Sequence, residues 1–295
     1  MDILTQLNRA MAYIEAHIDD DLAFADVSSV TAYSPYHFGR LFYYIADMSL
    51  SEYIRKRKLS LAAMALQSSG TKVIDLAVIC GYDSADSFTR AFVKQHGVTP
   101  SNARQPGVNL TIFPPLTFQI KIEGVQAMNW RIEEKEAFEV FGIERYFTNE
   151  ENPDKEGKIS AFWRETKTNG SYQRLTARAG GDPMGFAGYV EEQSDVFPYM
   201  ISLIAGEDCD TTGFKVVQVP AAAWVIFRSG ELPENAYGSE IRELFRRAYC
   251  EWLPSSGYDR FPGPDFEIYS RTDDGKYFEE AWIPVKKHKK ILANN

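Results

Sequence analysis

Residues 4–105 spell out the same unit twice: a short helix, a tight turn and a longer helix. This repetition limits the possible folds more than any other feature of the chain. Leu4, Leu7, Met11, Ile14 and Ile18 recur at three- and four-residue steps and predict an opening amphipathic helix. Asp19-Asp20-Asp21 offers caps for a short helix through Val27 and Val30. In Tyr33-Ser34-Pro35, Ser34 suits an N-cap and Pro35 suits the first helical position, where no N–H is needed. The helix that follows is expected from Pro35 to about Ile45. A long helix from about Ser51 to Leu66 then carries Arg55-Lys56-Arg57-Lys58. The pattern returns with Thr71 capping a short helix through Leu76 and Ile79. Gly81 breaks that helix, Ser84 or Asp83 caps another from about Ala85 to His96, and Gly97 ends it as a C-cap. The two second helices start at Pro35 and Ala85, 50 residues apart.

Each second helix has a small or polar outer face with one arginine, Arg40 in the first and Arg90 in the second. Two helix-turn-helix units in one chain would look like this. Such a unit lays its second helix in the major groove of double-stranded DNA, where arginine reaches guanine O6 and N7. Two ordinary helical hairpins in a bundle, with solvated arginines, give the same spacing. The basic run cannot all face one way, because helical neighbours lie about 100° apart. One or two of the four, with Arg55 and Arg57 as candidates, can meet phosphates, or the run is a solvated face.

Texture changes near residue 107. Pro106-Gly107 and Pro114-Pro115 are linker signals, and beyond them β-branched and aromatic runs alternate with polar turns. The expected division is a helical domain over 1–107, a linker over 108–125 and a second domain over 126–295. Up to Gly107 there are 10 basic and 11 acidic residues; the remainder has 22 and 30. With a net charge of −9, the chain is no general polyanion binder, so contact with nucleic acid must be local. No apolar run reaches the roughly 18 residues of a membrane span, and no basic segment followed by an apolar one opens the chain. The expectation is cytoplasmic, with no membrane partner. Cys80, Cys209 and Cys250, like the four histidines, are too scattered for a disulfide frame or a metal centre. No metal and no cofactor is expected.

The second domain reads as two βαββ halves. Strands at Val140–Phe147, Met184–Val190 and Tyr199–Ala205 accompany a helix at Ile159–Thr168. Strands at Phe214–Val219, Ala223–Phe227, Phe266–Arg271 and Tyr277–Val285 accompany a helix at Ser239–Trp252. The fold class is multi-domain: an all-α first domain with two helix-turn-helix units, then an α+β domain whose antiparallel sheet carries both helices on one face. Aromatic residues cluster in the strands, among them Tyr146, Tyr189, Trp224, Phe227, Tyr269 and Trp282, with carboxylates interleaved. Glu280 and Trp282 are two apart and share a face, as do Glu267 and Tyr269. A carboxylate in an aromatic-walled cleft suits a flat, hydrophobic, cationic guest. The same pattern also fits sheet-core aromatics with solvent-facing acids.

Both halves resemble known families. Ser34-Pro35-Tyr36-His37-Phe38-Gly39-Arg40-Leu41-Phe42 is similar to the first recognition helix of AraC-type transcription regulators. Ile74-Asp75-Leu76-Ala77, Cys80-Gly81-Tyr82-Asp83-Ser84 and Phe88-Thr89-Arg90-Ala91-Phe92 are similar to the second unit. In Rob-like members, the positions matching Tyr36, Gly39 and Arg40, and those matching Ala85, Asp86 and Arg90, face bases; Ser87 joins this set of candidates. Tyr43-Tyr44 stands where two lysines are usual, and Asp47 where a glycine usually ends the helix. Ala85 and Asp86 lack the amide donors that relatives use, so Arg40 is expected to matter more than Arg90, with Asp86 serving chiefly its own helix dipole. Met128-Asn129-Trp130-Arg131-Ile132, Val219-Pro220, Phe266-Glu267-Ile268-Tyr269 and Glu280-Ala281-Trp282-Ile283-Pro284 resemble a GyrI-like effector-binding domain over about 126–287. That resemblance implies a small-molecule sensor with Glu280 in the ligand groove.

The resulting expectation is a DNA-binding transcription regulator with a small aromatic or amphipathic effector, potentially cationic. Its partners are double-stranded DNA, the effector and RNA polymerase. The ligand candidates are Glu280, Trp282, Glu267, Tyr269, Trp224, Phe227, Tyr146 and Tyr189. No nucleophile–His–Asp set is present, so no enzyme is expected. The alternatives are a hydrolase using Glu280 as general base near Tyr269 or Tyr189, and a protein-binding module.

Overall fold

The computed structural model describes residues 3–20, 22–31, 33, 35–119, 128–148, 158–179, 181, 183–187, 196–233, 236 and 238–287. The chain divides into two compact units, Met1–Lys121 and Ile122–Asn295.

The first unit is helical: α1 (Ile3–Ala16), α2 (Phe24–Ser29), α3 (Pro35–Ala46), α4 (Leu50–Ser68), α5 (Val73–Ile79), α6 (Ala85–His96) and α7 (Pro100–Ala103). Helix starts and stops follow local chemistry. The Ser49 and Ser84 side chains accept from the N–H groups of Glu52 and Ser87, capping α4 and α6. Gly97 closes α6 in the left-handed region at φ 74°. Asp47 adopts φ 54°, the left-handed conformation for which glycine is usual. Two aromatic cores lie within this unit. Phe38 and Phe42 pack with Tyr53, and Phe88 and Phe92 pack under α4 with Leu59, Ala63 and Leu76.

The expected linker is different from a free tether. Residues 108–119 are extended and lie on the first unit, held by side chains of α1, α4 and α6. The boundary between units accordingly falls after Lys121. Proline-rich composition signalled an irregular segment, but not the partners that hold it.

The described residues of the second unit form one antiparallel sheet of nine strands: β1 (Trp130–Lys135), β2 (Phe138–Thr148), β3 (Met184–Ala187), β4 (Val196–Ile204), β5 (Lys215–Val219), β6 (Ala222–Arg228), β7 (Tyr258–Arg260), β8 (Asp265–Arg271) and β9 (Tyr277–Lys287). The helices are α8 (Lys158–Thr168), α9 (Ser171–Ala179) and α10 (Ile241–Arg247), and α10 runs on into a π-helical turn at Ala248–Trp252. Neither α9 nor β7 was expected from the pattern. Strand order is β1-β6-β9-β8-β3-β4-β2-β5, with β7 beside β9. The two halves are interleaved: β1 precedes β2 in the chain but pairs with β6, while β5 precedes β6 but pairs with β2.

This exchange bends the sheet. Six inter-strand steps separate β1 from β2, about 29 Å in a flat sheet at about 4.8 Å each. Only Glu136 and Ala137 join them, and three Cα steps reach about 11 Å. The sheet must therefore curl, and Phe138 of β2 duly meets Trp224 of β6 and Phe266 of β8. The inner face holds Val140, Phe186, Met200, Trp224, Ile226, Phe266 and Trp282, all buried. The outer face takes the helices: Phe162 of α8 lies on Phe147, and Trp252 on Phe227.

Candidate DNA surface and effector cleft

The two recognition helices present very different surfaces. On α6, Asp86, Arg90 and Lys94 are exposed at successive four-residue steps, and Ala85 and Ser87 are partly buried. Asp86 stands in the first turn, where a carboxylate complements the helix dipole. Ser87 is engaged with the cap, its hydroxyl donating to the Ser84 carbonyl at 2.8 Å. On α3, residues Phe38 to Tyr44 are all buried. Arg40 is only 3% exposed, with Nη2 donating to the Tyr44 hydroxyl at 2.9 Å and its guanidinium 5.6 Å from that ring. The expectation that Arg40 outranks Arg90 is therefore corrected: in this state Arg90 is the arginine at the surface. The reason is Tyr44, which gives the guanidinium both a hydrogen-bond acceptor and a ring face inside the unit. Gly39 is buried as well, and the side chain of Tyr36 lies outside what the structure describes.

The basic run divides as helical geometry requires. Arg55 is exposed. Arg57 is buried and fully engaged, with Nε and Nη2 donating to Glu15 at 2.9 and 2.7 Å and Nη1 to the Phe113 carbonyl at 2.5 Å. Its hydrogen bonds to Glu15 hold the guanidinium above its ordinary range. Arg57 is thus a structural ion pair rather than a phosphate contact, a second correction. Its partner Glu15 sits on α1, 42 residues away, beyond the reach of periodicity.

In the second unit the pleat sorts the ligand candidates onto opposite faces. Glu280, Trp282, Trp224 and Tyr146 belong to the inner face, and Glu267, Tyr269 and Phe227 to the helix-covered one. Tyr189 lies outside the described residues. Tyr146 is 61% exposed.

Glu280 is locked. Arg131 Nη1 donates to Oε1 at 2.9 Å and Trp282 Nε1 to Oε2 at 2.8 Å, with Arg228 3.8 Å away. Lys135 lies 4.5 Å from the Trp282 ring centroid. This corrects the expectation that Glu280 waits for a cationic guest, because β1 brings Arg131 alongside it through pairing with β6. It also removes the hydrolase geometry that joined Glu280 with Tyr269, since the sheet separates them.

Glu267 has the surroundings expected of an effector carboxylate. The Tyr199 hydroxyl donates to Oε2 at 2.7 Å and the Tyr269 hydroxyl at 3.1 Å. Trp163 of α8 donates through Nε1 to the Tyr199 oxygen at 3.0 Å and meets the Tyr269 ring edge-on at 5.7 Å. Among the described residues, no lysine or arginine pairs with Glu267. The basic residue opposite Tyr199 on the next strand, Arg145, is bound to Glu165 at 3.0 Å. Lys167 lies 5.7 Å from the Trp163 ring, its ammonium held below the usual range by burial.

Tyr199, Trp163 and Gly185 were not singled out as site residues, although a glycine inside the strand Met184-Gly185-Phe186 signals close approach. A Cβ at Gly185 would stand 2.3 Å from the Tyr199 oxygen and 2.8 Å from Glu267 Oε2. Gly185→Ala is expected to push both side chains aside while the unit stays folded, because the two nearest obstructing atoms are side-chain ends. An altered near-ultraviolet circular dichroism spectrum with a far-ultraviolet spectrum like wild type is the expected readout.

Cys80 and Cys250 are free, with thiols pushed up by burial to about 11 and about 12. No group among the described residues could hold a metal ion, and no helix among them is long and apolar enough to cross a membrane.

The described residues thus form a tandem pair of helix-turn-helix units and a curled, helix-backed sheet that carries an aromatic–carboxylate cluster. Comparison with known proteins gives the family. Residues 131–285 match the family described as integron-associated effector binding protein, and residues 27–106 match a helix-turn-helix domain. The chain belongs to that effector-binding family, with an AraC-type helix-turn-helix domain preceding the matched region.

Two curated relatives each match about a third of the chain. The Right origin-binding protein of Escherichia coli (strain K12) is 33% identical over 105 residues, which are 36% of this chain and 36% of that protein. The regulatory protein SoxS of the same strain is 36% identical over 94 residues, 32% of this chain and 88% of SoxS. The chain thus spans only about a third of the length of the first. Among solved structures, SAV2435 bound to tetraphenylphosphonium is 19% identical with a TM-score of 0.44, covering 54% of this chain and 94% of that one. An integron cassette protein of Vibrio cholerae is 20% identical with a TM-score of 0.40, covering 53% and 95%.

Proposed function

We propose that this protein is a DNA-binding transcription regulator whose second unit senses an aromatic or amphipathic cation at Glu267. The observation that carries the effector reading is a partly buried carboxylate bounded by Tyr199, Tyr269 and Trp163 and paired with no basic side chain among the described residues. A carboxylate in such surroundings gains from a cation that also stacks on the rings. DNA contact falls first to the exposed face of α6, with Arg90 and Lys94, and to Arg55 on α4. Regulation requires the effector to bind two states of the chain with different affinity, and typical couplings are about 1–3 kcal/mol.

Calorimetric titration tests the cleft. Glu267→Gln is expected to weaken tetraphenylphosphonium by about 1–2 kcal/mol, roughly tenfold, and to affect an uncharged ligand of similar shape much less. Glu280→Gln is expected to leave the same titration near wild type. Equal losses for charged and uncharged ligands, or a larger loss at Glu280, would remove the cation reading.

A further inference from the structure

The segment 108–119 runs back along α4, from the second helix-turn-helix unit to the first. At its start the Gln67 amide donates to the Val108 carbonyl at 3.3 Å, and Leu110 packs on the core of the second helix-turn-helix. Midway, the Phe113 N–H donates to Ser60 Oγ at 3.0 Å while its carbonyl accepts from Arg57. One turn further along α4, the Leu116 N–H donates to the Tyr53 hydroxyl at 3.1 Å. At the far end the Asn8 side chain brackets Phe118, accepting from its N–H at 2.8 Å and donating to its carbonyl at 2.9 Å. The Phe118 ring meets Phe42 of α3 edge-on at 6.0 Å.

Among the described residues, no strand pairs with this segment. Its backbone groups at 108, 113, 116 and 118 are satisfied by side chains drawn from α1 and α4, and Gln95 of α6 reaches the Thr111 carbonyl at 3.5 Å. Both units therefore hold the same extended segment, which spans the long helix that joins them.

We infer that residues 108–119 form a splint that fixes the relative orientation of α3 and α6, and so positions the two recognition helices for simultaneous engagement of one duplex. The inference rests on the DNA-binding reading above. Two binding modules on one chain gain avidity only when their geometry permits both to engage. Loosening the splint leaves each module intact and lowers that effective concentration.

The test uses the full chain and duplexes selected from a random pool by the wild-type protein. Each selected site is then scrambled in one half or the other. The variant Asn8→Ala/Phe118→Ala frees the far end of the splint. Tyr53→Phe removes only one hydroxyl, and serves if the double variant unfolds. Ile112→Ala, an exposed position on the same segment, is the control.

The expected result is that either splint variant binds the intact site about tenfold more weakly, binds half-scrambled duplexes within about twofold of wild type, and leaves the control unchanged. General destabilisation would lower both affinities together. Equal losses on intact and half sites, or no loss on either, would overturn the splint while leaving DNA binding in place. Failure of the wild-type chain to select any duplex would instead remove the DNA-binding reading, and the splint with it.

Discussion

Arg260→Met is expected to cost the second unit about 3–5 kcal/mol of stability, the range for removing one member of a buried ion pair. Arg260 donates from Nη2 to Asp265 Oδ1 at 2.7 Å and from Nε to the Tyr249 hydroxyl at 3.1 Å. Tyr249 donates to the other Asp265 oxygen at 2.9 Å. The side chain of Asp265 is wholly buried and that of Arg260 is 5% exposed. Burial alone would lower the guanidinium's proton affinity, but Asp265 and Tyr249 together outweigh burial and hold the arginine charged. Removing the cation strands a carboxylate between the sheet and the π-helical turn. Urea unfolding monitored by tryptophan fluorescence measures the loss. Arg260→Met/Asp265→Leu is expected to recover most of it, because a matched apolar pair carries no desolvation penalty. A loss below about 1 kcal/mol in the single variant would show that water reaches Asp265.

Gly142→Ala is expected to have an effect of similar size, at least about 3 kcal/mol, through backbone overlap alone. A Cβ there would lie 2.1 Å from the Ile201 carbonyl oxygen and 2.7 Å from Ser202 Cα, both in the neighbouring strand β4. Main-chain atoms inside a sheet cannot swing aside as a tyrosine hydroxyl can, which is why Gly142 and Gly185 are expected to behave differently. Loss of the cooperative thermal transition of the second unit, with the first unit's helical signal retained, is the expected observation. A variant melting within a few degrees of wild type would mean that β2 and β4 can separate locally at low cost.

The helices of the first unit were largely legible because their signals are local. Ser84, Gly97 and the three- and four-residue spacing of apolar positions act within one or two turns, and α6 runs from Ala85 to His96 as that chemistry dictates. The cap of α5 shows the limit: Thr71 was expected, but the helix begins after Lys72, with no side-chain cap. Arg40 shows a deeper one. A lone arginine on a polar-looking helix reads as exposed, yet Tyr44 one turn on supplies a buried partner. Helical spacing reports that two side chains can meet, not whether the meeting occurs in water or under cover.

Strand alternation by itself determined that Glu280 and Trp282 share a face, and that Glu267 and Tyr269 share a face; a period of two admits nothing else. It could not say which face the helices cover or which cation lies across the sheet. Those depend on β1 pairing with β6, almost 100 residues away, and on β8 lying between β9 and β3. The exchange of β1 and β5 between the halves brings Arg131 to Glu280, while α8 brings Trp163 toward Glu267. The sequence by itself determined the helical repeat, the strand-rich second half and the residues capable of forming a carboxylate–aromatic site. Only the tertiary structure decided that Glu280 is neutralised, that Glu267 has no basic partner among the described residues, and that the expected linker is bound to α4. Periodicity and capping are encoded over a few residues, whereas ion pairing and burial depend on contacts between segments far apart in the chain.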